Sequence, residues 1–246
     1  MGRKSGPRQL KREPAPGFWP IHRKETTWAP RTRPGPHIRE RSLPIVIVVR
    51  EILGYAKTAK EALRIIKGGK ISLDGVVRKD HRFPVGLMDV LKIQGISQTY
   101  RVLPKPGRGL VLSPIEDREA GFKICKIVGK RTVSGGRLQI SFHDGRNILA
   151  EAKERQKEEE LQVGGAVQLA LPSQKVVKYV PFQVGAVGLV TDGRNQGLHG
   201  KIASISAGSY ARPKIAKIET PELAFDTPAA YVIPIGMETP LISLDR

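Results

Sequence analysis

The chain has 246 residues, 39% of them hydrophobic, which is enough for one large domain or two to three small ones and excludes global disorder. Its 42 Lys and Arg against 23 Asp and Glu give a net charge of +19, which indicates a polyanionic partner: nucleic acid first, an anionic membrane surface second. A single cysteine, Cys125, excludes an internal disulfide and a multi-cysteine zinc site, and with no recognisable signal peptide it predicts a location inside the cell.

The positive charge is concentrated in the first 108 residues. Residues 1–50 carry 12 basic and 3 acidic side chains, and residues 51–108 carry 12 and 5. The rest of the chain is nearly balanced, with 11 and 9 in residues 109–175 and 7 and 6 in residues 176–246. The contact with a polyanion is therefore predicted in the first 108 residues.

Residues 1–43 form a basic extension with seven prolines, four glycines and few aliphatic side chains. Such a segment cannot bury enough apolar area to offset its chain entropy, so alone it should be disordered or extended and should order on binding RNA. An ordinary solvated tail is the alternative, but tails rarely carry two tryptophans, and aromatic rings stack on unpaired bases while arginine binds phosphate. The predicted RNA-binding residues here are Arg3, Lys4, Arg8, Lys11, Arg12, Trp19, His22, Arg23, Lys24, Trp28, Arg31, Arg33, His37, Arg39 and Arg41.

Residues 44–105 should form a compact α/β module. Residues 44–54 are bounded by residues typical of a helix start and stop, but the β-branched run between them favours a strand. The sequence therefore does not decide whether this element is a helix or a strand. The next helix is clearer, because Thr58 and Glu61 form a capping box and Gly68-Gly69 ends the pattern. A strand, an Asp74-Gly75 turn and a second strand follow, and residues 88–93 are typical of another strand.

The capped helix is expected to carry a basic stripe. Lys60, Arg64 and Lys67 fall at i, i+4 and i+7, on one face. A merely solvated face more often mixes signs, so this stripe predicts a phosphate-binding surface. The opposite, apolar face comprises Ala59, Ala62, Leu63 and Ile66, and the further RNA-binding residues predicted around the hairpin are Lys70, Arg78, Lys79 and Arg82.

The second half of the chain is expected to be β structure. Residues 122–128 and 137–142 have strand patterns and are joined through Gly135-Gly136. The acidic block at residues 151–160 is predicted to be a solvent-facing helix or loop. Evenly spaced short apolar runs over residues 176–246 predict a small barrel.

The glycine-rich stretch VTDGRNQGLHGKI, residues 190–202, does not fit a nucleotide-binding loop. Asn195 stands where the first glycine of either phosphate-loop pattern belongs, and Ile202 follows Lys201 where Ser or Thr is required. From residue 185 onwards the pattern is that of a strand, a glycine turn and a second strand, and it resembles the KOW motif of small SH3-like barrels. In this interpretation the glycines mainly permit tight turns, and the RNA-contacting residues are Arg194, Asn195, His199 and Lys201.

Residues 44–93 also resemble the S4-type RNA-binding domain, through KISLDGVVRKD and MDVLKI. The chain as a whole is similar to ribosomal protein family S4e of the small subunit, archaeal type. The further segments that carry this similarity are GPHIRE, LPIVIVVRE, RFPVGLMDV, FKICKIVGK, HDGRNI and PLISL. The resemblance implies an α+β, mostly β fold: an extended N-terminal arm (1–43), an S4-type domain (44–105), a central β domain (106–175) and a C-terminal KOW SH3-like small barrel (176–246).

The same resemblance implies a structural constituent of the small ribosomal subunit that binds and stabilises small-subunit ribosomal RNA during assembly and translation. The implied partners are that RNA and neighbouring small-subunit proteins, with no membrane, small-molecule substrate, cofactor, metal or homo-oligomer, and the implied location is ribosome-bound in the cytoplasm. Two other functions fit the sequence less well. A KOW-containing transcription or translation factor would not need the basic extension, and an RNA pseudouridine synthase would need G-R-L-D where residues 136–139 have GRLQ, so no enzyme is expected.

Overall fold

A computed structural model describes residues 9–150, 161–209, 213–221 and 223–244. The predicted RNA-binding residues Arg3, Lys4 and Arg8 and the acidic block at residues 151–160 lie outside the described residues. Within those ranges the fold is α+β and mostly β, as predicted, with three five-stranded sheets and a few short helices. None of the helices in those ranges is long and apolar enough to cross a membrane.

The described part of the extension is folded onto the module that follows it. Strands β1 (Leu10–Lys11) and β2 (Trp28–Ala29) pair in antiparallel fashion, and the Trp19 indole nitrogen donates to the Ser42 carbonyl at 2.9 Å. Leu10, Ala15, Trp19 and Ala29 lie in the same apolar core as the module. Alone, the extension is predicted to be disordered or extended; in the folded chain these residues instead join a core that the module supplies.

Two short helices open the module. After β3 (Ser42–Pro44), helix α1 (Ile45–Ile47) continues into a π-helical turn (Val48–Ile52), so the ambiguous β-branched run is helical. Residues 45–49 are buried, and this burial outweighs their strand propensity. Helix α2 (Ala59–Lys67) begins with the predicted capping box and ends at Gly68, which confirms the sequence prediction.

The module's sheet has the order β5-β4-β7-β8-β9. The predicted Asp74-Gly75 turn joins β4 to β5, with both residues at positive φ. Strand β9 pairs with β8 along its whole length, so the sheet continues past residue 105. The domain boundary after residue 105 stays a prediction. The strands are β4 (Ile71–Leu73), β5 (Val76–Val77), β6 (Pro84–Gly86, paired with β3), β7 (Val90–Ile93), β8 (Thr99–Lys105) and β9 (Gly109–Ile115).

The central sheet has the order β12-β11-β10-β13-β14, with all pairs antiparallel. Leu138, Ile140 and Phe142 are buried and the residues between them are partly exposed, which confirms the predicted alternation. The elements are α3 (Asp117–Ala120), β10 (Phe122–Thr132), β11 (Leu138–Phe142), β12 (Asn147–Ala150), β13 (Ala166–Ala170) and β14 (Val176–Val180).

The C-terminal sheet has the order β18-β17-β16-β15-β19 and is also antiparallel. The glycine-rich stretch is the connection between β15 and β16, so the predicted hairpin is confirmed, while the KOW likeness of this sheet stays a prediction. The strands are β15 (Val187–Val190), β16 (His199–Ser206), β17 (Ile215–Glu219), β18 (Ala224–Pro228) and β19 (Val232–Gly236), with a 3-10 turn (Ala229–Tyr231) before the last.

One apolar cluster joins the three sheets. Leu103 of β8, Ile124 of β10, and Leu189 and Ile233 of the C-terminal sheet are all buried in it. The module and both β regions therefore share core packing, which holds the surfaces that they present in a fixed arrangement.

Candidate nucleic-acid interface

An exposed basic surface of the module begins on α2. Lys60, Arg64 and Lys67 are all exposed along one face, while Ala62 and Ile66 are buried against the core. The stripe is thus placed as the periodicity predicts. Ala59, by contrast, is exposed, so the apolar face is narrower by one residue than expected.

The cap of α2 fixes the start of this stripe. The Glu61 backbone N–H donates to Oγ1 of Thr58 at 3.3 Å, and the Glu61 carboxylate accepts from the backbone N–H groups of Lys57 and Thr58. The Lys57 bond is the main reason that the pKa of Glu61 lies below its usual value. Glu61 is therefore held at the helix end and does not interrupt the cationic stripe.

The stripe continues onto the segment after β5. Lys79 and Arg82 are exposed, and the Lys79 side chain lies beside Gly69 at the end of α2. Burial lowers the pKa of His81, with further lowering by the positive charge of Arg82 and by that of Lys67. We call the exposed set Lys60, Arg64, Lys67, Lys79 and Arg82 the basic face.

Two further predicted residues of the module have different surroundings. Lys70 is exposed. Arg78 is half-buried, and its guanidinium lies 4.4 Å from the centroid of the Phe83 ring. Arg78 therefore packs on an aromatic face as well as adding positive charge.

The predicted residues of the extension divide into outward and inward groups. Trp28 is 54% exposed, and Arg31 and Arg39 are half-buried. Arg33 reaches the module, where its guanidinium pairs with Asp80 at 3.0 Å. The exposed members of the set are Lys11, His22, Lys24, Trp28, Arg33 and Arg41.

Four members of that set turn inward, and their assignment to RNA needs correction. Trp19 is 3% exposed, so its ring cannot stack on a base in this conformation, and Arg12 is 7% exposed. The Arg23 guanidinium donates to four backbone carbonyls of the extension, which uses its donors inside the protein. The His37 side chain is 5% exposed and bonds to Asp89.

The glycine-rich hairpin exposes two of its four predicted residues, Arg194 and Lys201. Asn195 is half-buried in the turn. His199 was expected near the tip, but it begins β16 opposite Leu189 and is half-buried, which lowers its pKa. The hairpin therefore offers a smaller contact surface than the sequence predicts.

The sequence reasoning missed a buried ion cluster between the module and the central sheet. The Lys123 ammonium is 3.1 Å from Asp74, 2.5 Å from Asp89 and 3.0 Å from Asp144. Arg146 pairs with Asp74 and Asp144. Asp74 and Asp89 belong to the module, whereas Lys123, Asp144 and Arg146 belong to the central sheet, so the cluster ties these two regions together.

The proton equilibria of this cluster follow from burial and charge together. Burial would raise the pKa of Asp89 and Asp144, but the Lys123 ammonium outweighs it and both pKa values fall below normal. Burial would likewise lower the pKa of Lys123, but Asp89 and the other carboxylates hold it well above its usual value. Lys123, Asp89 and Asp144 are therefore all charged at neutral pH, as mutual pairing of buried ions requires.

Cys125, His143 and Asp144 bring three metal-ligating atoms within 4.8 Å of one another, among the described residues. The Lys123 ammonium already occupies the cation position beside Asp144, at 3.0 Å. Burial raises the pKa of the Cys125 thiol well above normal, which opposes the thiolate that a metal needs. The donor set therefore fits an internal ion pair better than a metal ion.

The sequence did contain a trace of this cluster. Asp74 and Asp144 each precede a glycine in a D-G turn, and both Gly75 and Gly145 have positive φ. The turn pattern predicted local geometry alone, because the partners lie far apart in the chain. Lys123 lies in a strand whose other residues are mostly apolar. A lysine buried in such a strand indicates a partner inside the protein, but the sequence does not identify that partner.

Comparison with known proteins gives three family matches that together cover most of the first 176 residues. The model described as ribosomal family S4e matches residues 96–176. The RS4NT (NUC023) domain matches residues 4–40, and the S4 domain matches residues 43–91. The matched segments include both the basic face and the ion cluster.

Curated relatives match almost the whole chain. "Small ribosomal subunit protein eS4" of Ignicoccus hospitalis is 45% identical over 243 residues, covering 97% of this chain and 95% of the relative. The protein of the same name from Methanothermobacter thermautotrophicus is 45% identical over 238 residues, with 96% of each chain covered. Among solved structures, the crystal structure of the 30S ribosomal protein S4e from Thermoplasma acidophilum is similar at a TM-score of 0.68 and 27% identity, covering 80% of this chain and 95% of that one.

Proposed function

The chain belongs to ribosomal family S4e, and we propose that it is a structural constituent of the small ribosomal subunit that binds and stabilises small-subunit ribosomal RNA during assembly and translation. It is a ribosomal protein and not an enzyme. Its partners are ribosomal RNA and other ribosomal proteins, and its place is on the ribosome in the cytoplasm. We further propose that it enters the subunit as a single copy.

The basic face is the observation that carries this proposal. Five exposed Lys and Arg side chains lie there, and the two acids on the same segments (59–67 and 78–82), Glu61 and Asp80, are engaged by the helix cap and by Arg33. RNA phosphates are the polyanion that such a surface attracts most strongly. The basic face therefore serves as the primary contact with ribosomal RNA.

The mechanism of binding is electrostatic and shape-dependent. The major groove of an RNA helix is too deep and narrow for side chains to enter, so the basic face contacts phosphates and 2′-hydroxyls across the outside of a helix or junction. Arg64 and Arg82 give forked contacts to phosphate oxygens, and the lysines act as point charges. This mode stabilises folded RNA without reading its sequence.

The extension adds a second set of contacts beside the basic face. Its outward residues Lys11, Lys24 and Arg33 contact phosphates, and Trp28 stacks on an unpaired base. The inward residues Arg12 and Trp19 hold the described part of the extension against the module. We propose that Arg3, Lys4 and Arg8 extend this contact further along the RNA.

The predicted four-part division of the chain fits this mechanism. The extension and module bind RNA, while the nearly neutral central and C-terminal β regions face the subunit surface and its proteins, with the KOW-like hairpin adding a minor contact through Arg194 and Lys201. The pairing of β8 with β9 favours a boundary after Ile115 rather than after residue 105. The ion cluster fixes the module relative to the central sheet, and the contact between His37 and Asp89 fixes the extension to the module.

The proposal is tested by reversing charge on the basic face. Lys60→Glu with Arg64→Glu should weaken binding to small-subunit ribosomal RNA at least 100-fold, measured by filter binding, because each substitution replaces an attraction to phosphate with a repulsion. Both side chains are exposed, so circular dichroism should report an unchanged fold.

The matched control is Lys175→Glu with Lys178→Glu. These lysines are exposed, Lys178 in β14 of the central sheet and Lys175 just before it, and the pair changes the net charge by the same amount. The control should bind within a few-fold of the unaltered chain. Equal losses in both variants would mean that net charge alone governs binding, and no loss in either would contradict the proposed contact.

A further inference from the structure

A crevice of about 560 Å³ lies where the extension, the central sheet and the C-terminal sheet meet. It is distinct from the basic face. Its volume falls in the range of about 300–1,000 Å³ that is typical of sites which enclose a small organic group. Such a crevice at the junction of separate parts of the chain is a place where ligands commonly bind.

The inner walls of the crevice are apolar and aromatic. Leu87, Ile127 and Ile233 line it, together with the half-buried Phe182 ring. The half-buried His143 ring also lines it, and desolvation lowers its pKa to about 4, so this imidazole is neutral at physiological pH. A flat, uncharged group is the kind of ligand that these walls accommodate.

Two exposed cations flank this apolar interior. Arg41 and Lys214 are exposed, and the Lys214 ammonium lies 5.5 Å from the centroid of the Phe182 ring. Arg41 also pairs with Asp192, which lies outside the crevice lining. No Asp or Glu is among the residues that line the crevice in the part of the chain that the structure describes. The mouth is therefore suited to an anion.

Lys126 adds a buried donor within the crevice. It is 8% exposed, and its ammonium donates to the carbonyl oxygens of Ala229 at 2.9 Å and Ala230 at 2.7 Å. An ammonium has three N–H donors, and among the described residues these two carbonyls take two of them, which leaves the third to bond a ligand acceptor. A buried donor of this kind favours a ligand that carries a carbonyl or ring nitrogen acceptor.

We propose that this crevice receives an unpaired, extruded base of small-subunit ribosomal RNA, with the adjoining phosphate held by Arg41 and Lys214. The base packs between the apolar walls and Phe182, and its acceptor edge takes the free Lys126 donor. Single-stranded RNA is recognised by this combination of an aromatic platform, a base-edge donor and phosphate-binding cations. The inference rests on the proposed function and assigns a second RNA site, outside the basic face.

The proposal is tested by filling the crevice. Ala230 lines it and is exposed, so Ala230→Trp places a bulky ring at the mouth without disturbing the core. Ala224→Trp is the matched control, since Ala224 is an exposed alanine of β18 outside the crevice. The full chain is bound to small-subunit ribosomal RNA, and affinity is measured by filter binding.

We expect Ala230→Trp to weaken binding about tenfold and Ala224→Trp less than twofold, because loss of one stacked base costs about a factor of ten in affinity. Ultraviolet crosslinking of the unaltered complex should also attach nucleotides to the peptide that contains Phe182, and Ala230→Trp should abolish that crosslink. If Ala230→Trp does not fold, the same binding test is repeated with Lys214→Glu as the test variant and Lys217→Glu as its control. Both lysines are exposed, and they lie close together in the chain, beside and within β17.

Three outcomes overturn the proposal. In the first, the two tryptophan variants bind RNA with equal affinity and no crosslink to the Phe182 peptide forms. If Lys60→Glu with Arg64→Glu still loses binding in that case, the crevice is not an RNA site but the proposed function stands. Another is normal RNA affinity but failed incorporation of Ala230→Trp into small subunits, which would assign the crevice to a neighbouring protein. The third is absence of RNA binding by the unaltered chain, which removes the proposed function as well.

Discussion

Oδ1 of Asp89 is shared by two parts of the chain: the Lys123 ammonium lies 2.5 Å from it and Nε2 of His37 lies 3.0 Å from it. Asp89 belongs to the module, Lys123 to the central sheet and His37 to the extension. One buried carboxylate oxygen therefore joins three segments, and Oδ2 of the same carboxylate accepts from the Gly86 backbone N–H at 2.8 Å. This contact fixes the extension and the basic face against the β regions.

Removal of the central cation should destabilise the fold strongly. Lys123→Met leaves Asp74, Asp89 and Asp144 in the interior without their shared partner, so we expect a loss of about 3–5 kcal/mol in the free energy of unfolding. Urea denaturation followed by circular dichroism measures this. Lys178→Met, at an exposed lysine of β14, should change stability by less than about 0.5 kcal/mol. A Lys123→Met variant as stable as this control would show that the cluster does not hold the segments together.

Acidification should destabilise the protein in two stages. Burial lowers the pKa of His143 to about 4, so between its unfolded pKa of about 6.5 and pH 4 the unfolded chain binds a proton that the folded chain does not. Stability conferred by the neutral imidazole is full above pH 6.5 and is lost as pH falls towards 4. Below about pH 4 the carboxylates of Asp89 and Asp144, whose pKa values are depressed, begin to lose their contribution as well.

The first stage is tested with His143→Gln. Between pH 7 and pH 4 the unfolding free energy of the unaltered chain should fall by about 3 kcal/mol more than that of the variant, as the shift in the pKa of His143 requires. The lowered pKa values of His81 and His199 act in the same direction, so the variant keeps a smaller slope. Identical slopes in both proteins would mean that His143 is not held neutral by burial.

The two tryptophans of the extension should behave in opposite ways. Trp19→Ala removes a ring that is 3% exposed and should lower the free energy of unfolding by about 3–5 kcal/mol. Trp28→Ala removes a ring that is 54% exposed, so stability should change little while affinity for small-subunit ribosomal RNA falls by about 1–3 kcal/mol. Denaturation and filter binding on both variants separate the two roles. A stable Trp19→Ala variant that binds RNA poorly would restore the original assignment of Trp19.

Local signals in the sequence were sufficient for α2 and for the hairpins. The Thr58–Glu61 box, the Asp74-Gly75 turn and the alternation from Leu138 to Phe142 each involve residues a few positions apart, so a short window contains the whole interaction. The position of the basic stripe followed from helical periodicity alone. These features are confirmed because no distant residue overrides them.

Features that depend on distant partners could not be predicted. Trp19 and Trp28 stand in similar proline-rich surroundings, and only the Ser42 carbonyl and the module core decide which ring is buried. Asp74 and Asp89 precede Lys123 by 49 and 34 positions, so no spacing rule connects them. Composition likewise indicated a basic extension but could not show that part of it would complete a neighbouring core.

The salt dependence of RNA binding tests the central claim most directly, because each lysine or arginine on a phosphate contributes about 0.7–0.9 to the slope of log affinity against log salt concentration. The variant Lys60→Gln, Arg64→Gln and Lys67→Gln is compared with the exposed triple control Lys175→Gln, Lys178→Gln and Lys217→Gln on small-subunit ribosomal RNA. We predict that the slope of the first variant is shallower than that of the unaltered chain by about 2–3, while the control slope is unchanged. A slope for the first variant equal to that of the unaltered chain would contradict the assignment of the basic face to ribosomal RNA.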